Sequence, residues 1–239
     1  MALTLYHFNN SVCSQKVRLA LAEKGTKWDE RFVDLVKLEQ YEFDYVQLNP
    51  KGVVPTLVHD GQVVIESTLI CEYLDDTFPN PSLKPAHPSG CAAMRVWTKA
   101  VDEGIHEGVV ALSFSAMFRE RMKGMTDEQR TRQFRNIGDP VRRDRDRAVF
   151  EQGVESSYVF NAIAVYETTF SKLEKVLVDG RDWIMGDQYT LAEINFAPYV
   201  ARLEFMGLLE IWIQDRPQIA AWWHRLKART AYQRGVSDR

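Results

Sequence analysis

Residues 79–90 carry four prolines and a glycine (Pro79, Pro81, Pro85, Pro88 and Gly90), and this run separates two stretches of different periodicity. Proline has no N–H to donate and a fixed φ, so such a run continues neither a helix nor a sheet interior. It reads as a linker between two units. The 239 residues are enough for two small cores.

Before the linker the order reads β-α-β-α-β-β-α. Residues 3–7 suit a strand, and Phe8 to Cys13 a loop. Val17, Ala20, Leu21 and Lys24 then recur at helical spacing, with Gly25 as a stop. Residues 28–33 read as a second strand, giving a βαβ start whose crossover is right-handed. A short amphipathic helix over 39–47 ends at Leu48-Asn49-Pro50. The segment from Val53 to His59 leads into a strand, Asp60-Gly61 marks a tight hairpin, and Val63 to Ile65 return. A helix from Ser67 to Thr77 is expected to place Leu69, Ile70, Tyr73 and Leu74 on one face. Beyond the linker all spacing reads helical.

Hydrophobic residues make up 45% and charged residues 26%, with a formal net charge of −3, which argues against a nucleic-acid partner. No apolar run approaches a membrane span. The start, Met1 to His7, has neither the basic nor the long apolar region of a signal peptide. Cys13, Cys71 and Cys91 are odd in number and irregular in spacing, which fits a reducing compartment, and no zinc spacing is present. A cytoplasmic protein without a metal is the expectation. Residues 119–155 mix nine arginines with eight acidic residues. Interleaved charge reads as a solvated helix pair or a mobile loop rather than a phosphate-binding patch. Thr190-Leu191-Ala192-Glu193 is a capping box with Tyr189 and Ile194 at the staple positions, a folding feature without chemistry.

Three short stretches can carry chemistry. Ser11-Val12-Cys13-Ser14 lies between a strand and a helix, where unpaired amides and the helix dipole favour an anion. A thiolate there is stabilised, whether it belongs to Cys13 or to a bound thiol hydrogen-bonded by Ser11 or Ser14. Each residue also has a plain role, as N-cap or as small buried side chain. Val54-Pro55 entering a strand would, with a cis peptide, leave the Val54 amide and carbonyl facing outward to pair with another backbone. Glu66-Ser67 sets a hydroxyl and free amides at a second helix start, suited to a carboxylate. A small acidic peptide carrying a thiol, such as glutathione, fits the set.

With these stretches, Asn49-Pro50 and the 190–193 box, the chain resembles the glutathione S-transferase superfamily along essentially its whole length. The family usually has aspartate where Glu193 stands. Ser11 to Lys16, Asp44 to Asn49 and the 201–208 tail resemble bacterial tetrachlorohydroquinone reductive dehalogenases, themselves similar to zeta-class maleylacetoacetate isomerases. Glu66 to Leu74 and Met94 to Glu103 resemble the β-aryl-etherases.

The resemblance implies a thioredoxin-like α/β domain over 1–80 that binds glutathione, and an all-α domain over 91–239 that binds the other substrate. It implies that Val54, with Pro55, pairs with the cysteinyl part of glutathione. Glu66 and Ser67 would hold the γ-glutamyl end, and Lys51 the glycyl carboxylate. Ser11 would be the thiolate donor, and Cys13 matches the reactive cysteine of the dehalogenases. Lys16 stands where a dithiol motif has its second cysteine, excluding dithiol chemistry. Tyr6, Phe8, Asn9, His106, Phe114 and Phe118 are candidate walls for a hydrophobic aromatic substrate, with His106 either a general acid or a structural histidine.

The expected function is attack by glutathione thiolate on an aromatic-derived electrophile, displacing a phenoxide or a halide. Alternatives are a cysteine-dependent thiol lyase or reductive dehalogenase, a maleylacetoacetate-type isomerase, and, in another class, a non-catalytic glutathione-binding protein. A homodimer is implied by the family alone.

Overall fold

The computed structural model describes residues 2–237. Strand β1 (Leu3–His7) turns Leu3 and Leu5 inward and Thr4 and Tyr6 to the other face, the alternation a strand imposes. Helix α1 (Val12–Glu23) follows, and Gly25 takes the left-handed conformation (φ 62°) just past its end. Strand β2 (Asp29–Phe32) lies parallel to β1 and is exposed throughout, a charged edge that discourages pairing with other chains. The 39–48 region divides into a 3₁₀ turn (Glu39–Tyr41) and α2 (Phe43–Leu48). β3 (Thr56–His59) and β4 (Gln62–Ile65) form the hairpin, with Asp60 (φ 45°) and Gly61 (φ 84°) both left-handed at the turn. The sheet order is β2-β1-β3-β4, with β3 antiparallel to both its neighbours.

Helix α3 (Ser67–Thr77) buries Ile70, Cys71 and Leu74. Leu69, expected on that face, is 61% exposed, because Cys71 takes the inward slot instead. With α1, these side chains cover the Leu3/Leu5/Leu57 face of the sheet. The opposite face carries a smaller cluster of Val33, Tyr45 and Val54, with Tyr6 and Phe8 packed on it.

The proline-rich stretch is anchored. Lys24 pairs with buried Asp75 and also donates to the Pro81 carbonyl (2.5 Å), while Asp75 accepts from the Leu83 amide (2.8 Å). The Leu191 amide in turn donates to the Leu83 carbonyl (2.8 Å). Helix α4 (Pro88–Ala100) begins inside this stretch: Pro88 sits in its first turn, where a missing N–H costs nothing, and Gly90 lies within the helix.

In the rest of the described chain the regular elements are helices, with one isolated Trp183–Gly186 bridge between them. A π-helical turn (Val101–Ile105) joins α4 to α5 (His106–Ser113), and a second (Phe114–Phe118) joins α5 to α6 (Arg119–Lys123). α7 (Asp127–Asn136) and α8 (Pro140–Gln152) are the charged helix pair. Their apolar seam holds Phe134 against Phe150, and Arg145 is buried against Asp146 and Glu107. α9 (Ser157–Leu177) and α10 (Leu191–Phe205) bury an aromatic core with α11 (Glu210–Ile213) and α12 (Pro217–Lys227). Phe170 stacks on Trp212 and Phe196 on Trp222, each residue contributing about 2–3 kcal/mol through burial.

After α13 (Thr230–Tyr232), a turn over 233–237 lies on α1. Gly235 permits that contact: a Cβ there would stand 2.7 Å from the Leu19 Cα. The architecture is thus a thioredoxin-like α/β unit followed by an all-helical one, with α10 packed along α1.

Candidate active site

Ser11 is the N-cap of α1. Its extended backbone (φ −90°, ψ 119°) lets the side-chain oxygen accept from the Ser14 amide at 3.3 Å. That bond uses a lone pair and leaves the hydroxyl proton to be donated elsewhere. The first turn of α1 carries no acidic residue, so the amides of Val12 and Cys13 and the positive end of the dipole have no carboxylate to neutralise them. Ser14 is fully buried and its hydroxyl accepts from the Phe8 amide (3.4 Å), which ties down the loop.

Two arginines hold that loop. Arg18 donates to the carbonyls of Phe8 (3.4 Å) and Asn9 (3.1 Å). Arg202, from α10, donates to both the carbonyl and the side-chain oxygen of Asn10, each at 2.6 Å, and to Ser113 at 3.4 Å. Three consecutive residues before Ser11 are therefore fixed by cations from both halves of the molecule.

Val54 and Pro55 lie at the same end of the sheet. β1 and β3 pair Tyr6 with Thr56, so continuing the antiparallel register brings Val54 toward Phe8. The Val54–Pro55 peptide is cis. Asn49 is buried and donates to the Val53 carbonyl (2.9 Å) and the Thr56 hydroxyl (3.2 Å), and the Tyr45 hydroxyl donates to the same carbonyl (2.7 Å). This explains why Asn49 accompanies Val54-Pro55-Thr56: it holds the bend from which the strand begins.

Glu66 caps α3 in a left-handed conformation (φ 70°, ψ 108°), a costly arrangement for a residue with a side chain and one found at ligand sites. Lys51 donates to its Oε1 at 2.6 Å, so two of the expected glutathione contacts pair with each other. Ser67 opens α3, and the next residue, Thr68, accepts from Lys16 of α1 (2.8 Å). That bond joins the two helix starts, which carry Ser11 and Ser67, at one end of the molecule.

Two residues past Ser11 stands a thiol with two polar partners. The Cys13 Sγ lies 3.6 Å from His106 Nδ1 and 3.7 Å from the Tyr199 hydroxyl, and those two partners are 3.3 Å apart. Burial pushes the thiol up, but the charge and hydrogen bond of His106, the Lys16 charge and the Tyr199 hydroxyl outweigh it and bring Cys13 to about 6. Burial lowers His106, and the facing Cys13 thiolate more than compensates, raising it. Burial drives the Tyr199 phenol far up, so it stays a donor. By contrast Cys71 is driven to about 12 by burial, an inert thiol, and all three cysteines are free.

The candidate walls divide. His106 faces Cys13. Phe114 is buried in the main core against the more exposed Phe118 (6.3 Å), on the helix whose Ser113 meets Arg202. The Asn9 side-chain oxygen is buried without a partner. Tyr6 and Phe8 belong to the small cluster across the sheet from α1, Tyr6 against Tyr45 and Phe8 against Phe32. Tyr199, Arg202, Asn10 and Thr68 were not singled out from the sequence. Tyr199 lies inside a helix as an ordinary core aromatic, and only the fold brings it to Cys13, so no local signal could have found it.

Among the described residues no group of three or more His, Cys, Asp or Glu is placed to hold a metal, and no helix is long and apolar enough to cross a membrane.

Two family models match the chain: "Glutathione S-transferase, N-terminal domain" over residues 10–77 and "Glutathione S-transferase, C-terminal domain" over 128–225. The chain is 36% identical to protein LigF of Sphingobium sp. strain SYK-6, over 97% of this chain and 91% of that protein. The crystal structure of the beta-etherase LigF from that strain superposes with a TM-score of 0.89 at 32% identity, covering 100% of both chains. The tetrachloro-p-hydroquinone reductive dehalogenase of Sphingobium chlorophenolicum is 30% identical over 97% of this chain and 94% of that protein.

Proposed function

Because this chain belongs to the glutathione S-transferase family and is an enzyme of that family, we propose that it cleaves a β-aryl ether by attack of glutathione thiolate. The sulfur forms a bond to the carbon bearing the ether oxygen, the C–O bond breaks with its electron pair on oxygen, and a phenoxide leaves. The family uses glutathione as co-substrate. Here its cysteinyl backbone pairs with Val54 beside Pro55, its γ-glutamyl end meets Glu66 and Ser67, and Lys51 turns to its glycyl carboxylate.

One observation carries this reading: a hydroxyl-capped helix start with no carboxylate in its first turn. Ser11 donates to the bound sulfur, and the Val12 and Cys13 amides and the dipole add to it, lowering the thiol pKa. Holding thiolate and electrophile together supplies the rest of the acceleration. The aromatic substrate lies at the seam between residues 1–80 and 91–239, against His106, Phe114 and Phe118. The relation to LigF favours an aryl ether over a halide. A homodimer is the expected assembly, as in the family.

The test is incubation with glutathione and a panel of β-aryl ethers and halogenated hydroquinones, with products read by mass spectrometry. A glutathione thioether and equimolar phenol, formed far more slowly by Ser11→Ala, are expected. A silent Ser11→Ala, or unchanged ethers, would overturn the reading. The Cys13 cluster favours a second reading, in which sulfur is taken back from such a thioether.

A further inference from the structure

Arg18 lies midway along α1, wholly buried, and its guanidinium faces two ways. Nη1 and Nη2 hold the carbonyls of Phe8 and Asn9, while Nε donates to the Gly235 carbonyl at 3.0 Å, 217 positions away. The buried His7 Nδ1 also accepts from Nη1 (3.2 Å). A guanidinium is planar with its donors at fixed angles, so seating Nε directs the other two nitrogens. The Phe8 carbonyl accepts a second bond, from the Ser11 amide at 3.1 Å. A continuous path thus runs from Gly235 through Arg18 and Phe8 to the backbone of the residue that caps α1.

The far end of this path is firmly mounted. Tyr232 stands edge-on to Trp223 of α12 (89°, centroids 5.6 Å apart), Gln233 Nε2 donates to the Lys227 carbonyl (2.9 Å), and Val236 is buried. Gly235 is not left-handed, so its backbone would accept any residue, and contact alone excludes a side chain. A Cβ there would stand 2.7 Å from the Leu19 Cα, 2.8 Å from the Leu19 nitrogen and 3.1 Å from the Arg18 carbonyl carbon. All three are backbone atoms of α1, which cannot swing aside as a side-chain tip can. The turn therefore sits on α1 as closely as two backbones allow, and that approach brings its carbonyl to Arg18. A clamp between α12 and α1 that served only the fold could be built from apolar side chains without burying a cation.

We propose that the 233–237 turn is a positioning element of the active site. Through Arg18, a positioning residue, it sets residues 8–10 and with them the direction in which Ser11 points. The effect on catalysis rests on the reading that Ser11 donates to the glutathione sulfur, whereas the mechanical link does not. The helical unit then holds the reactive loop at two points: Arg202 on Asn10, and the turn, by way of Arg18, on Phe8 and Asn9. Changes in α12 or in the turn, remote from both substrates, should therefore appear in kcat and not in KM for glutathione.

Amide hydrogen exchange, read residue by residue by NMR, tests the link without any glutathione chemistry. Gly235→Ala sets a methyl against α1 and lifts the turn, and Arg18→Lys keeps the charge but loses the fork. In both, protection of the Ser11 amide should fall about tenfold. The Leu191 amide, bonded to the Leu83 carbonyl at 2.8 Å, is the internal reference and should change far less. Equal losses at the two amides, which a merely structural role would give, or no loss at Ser11, overturn the proposal. The second measurement is steady-state ether cleavage. Each variant should lower kcat about tenfold with KM for glutathione unchanged, and should add little on a Ser11→Ala background. Lowered Ser11 protection with unchanged kcat, in an enzyme that Ser11→Ala does slow, also overturns it. A silent Ser11→Ala would instead sink the transferase reading, and the exchange result would still decide the link. Should Gly235→Ala fail to fold, Arg18→Lys carries both measurements.

Discussion

α1 and α10 both begin on a hydroxyl-bearing cap, Ser11 and Thr190, but their first turns are filled differently. At α10 the Glu193 carboxyl group turns back onto the start of its own helix. It accepts from the Thr190 amide (3.0 Å) and the Ile184 amide (2.5 Å), while the Ala192 amide donates to the Thr190 hydroxyl (3.2 Å). At α1 the corresponding position is Ser14, whose hydroxyl is turned to the Phe8 amide, and no carboxylate lies in the turn. The same physics of unpaired amides and dipole thus closes one helix start for folding and leaves the other without a carboxylate, which is the start the proposed function assigns to a ligand's sulfur.

The sharpest way to break this comparison is to cut each site once. Ser11→Ala should lower kcat about 10²-fold or more with little change in KM for glutathione, read by steady-state kinetics, because the lost donor acts on developing sulfur charge. Glu193→Ala should do the reverse. It strands buried amides and should cost about 2–3 kcal/mol in chemical denaturation, with kcat of the folded enzyme unchanged. If Glu193→Ala instead slows turnover as Ser11→Ala does, the division between folding cap and reactive cap is wrong.

Arg202→Met sharpens the comparison further, since it frees Asn10 without touching α1. A fall of about tenfold in kcat is expected from the displaced loop. On a Ser11→Ala background the same change should add little; full additivity would mean that Arg202 does not act through Ser11. The smallest effect is on pH dependence. Burial, opposed by its hydrogen bonds, raises Glu193 from its ordinary 4.5 to about 7. The native state then keeps a proton that the unfolded chain releases. The linked stability is complete below 4.5 and is lost as pH rises through about 7. Denaturation midpoints from pH 5 to 8 should fall in wild type and flatten in Glu193→Ala.

Local signals in the chain were sufficient for the frame of the fold. Gly25, the Asp60-Gly61 turn, Ser11 and Thr190 announce their structures because each has a backbone need that its neighbours state. The places of Ser11, Val54 and Ser67 in the fold were likewise readable, since each begins or bends an element. What could not be read lies in contacts between distant segments. Cys13 and Tyr199 are 186 positions apart, and Arg202 reaches Asn10 across a similar span. The two π-helical turns re-phase the helix bearing His106, so no constant period points its ring at Cys13. Pro88 and Gly90 looked like linker because breakers inside a first helical turn resemble breakers outside it.

The central claim is that the open start of α1 ionises a bound thiol, and the most direct measurement is the pKa of glutathione in the binary complex. Thiolate absorbance followed across pH, in a Cys13→Ser background so that only glutathione sulfur is counted, gives it. The account predicts a midpoint well below the roughly 8.5 of a free thiol, moving back toward that value in Ser11→Ala. A bound thiol that titrates like free glutathione, or one that Ser11→Ala leaves unmoved, would contradict it.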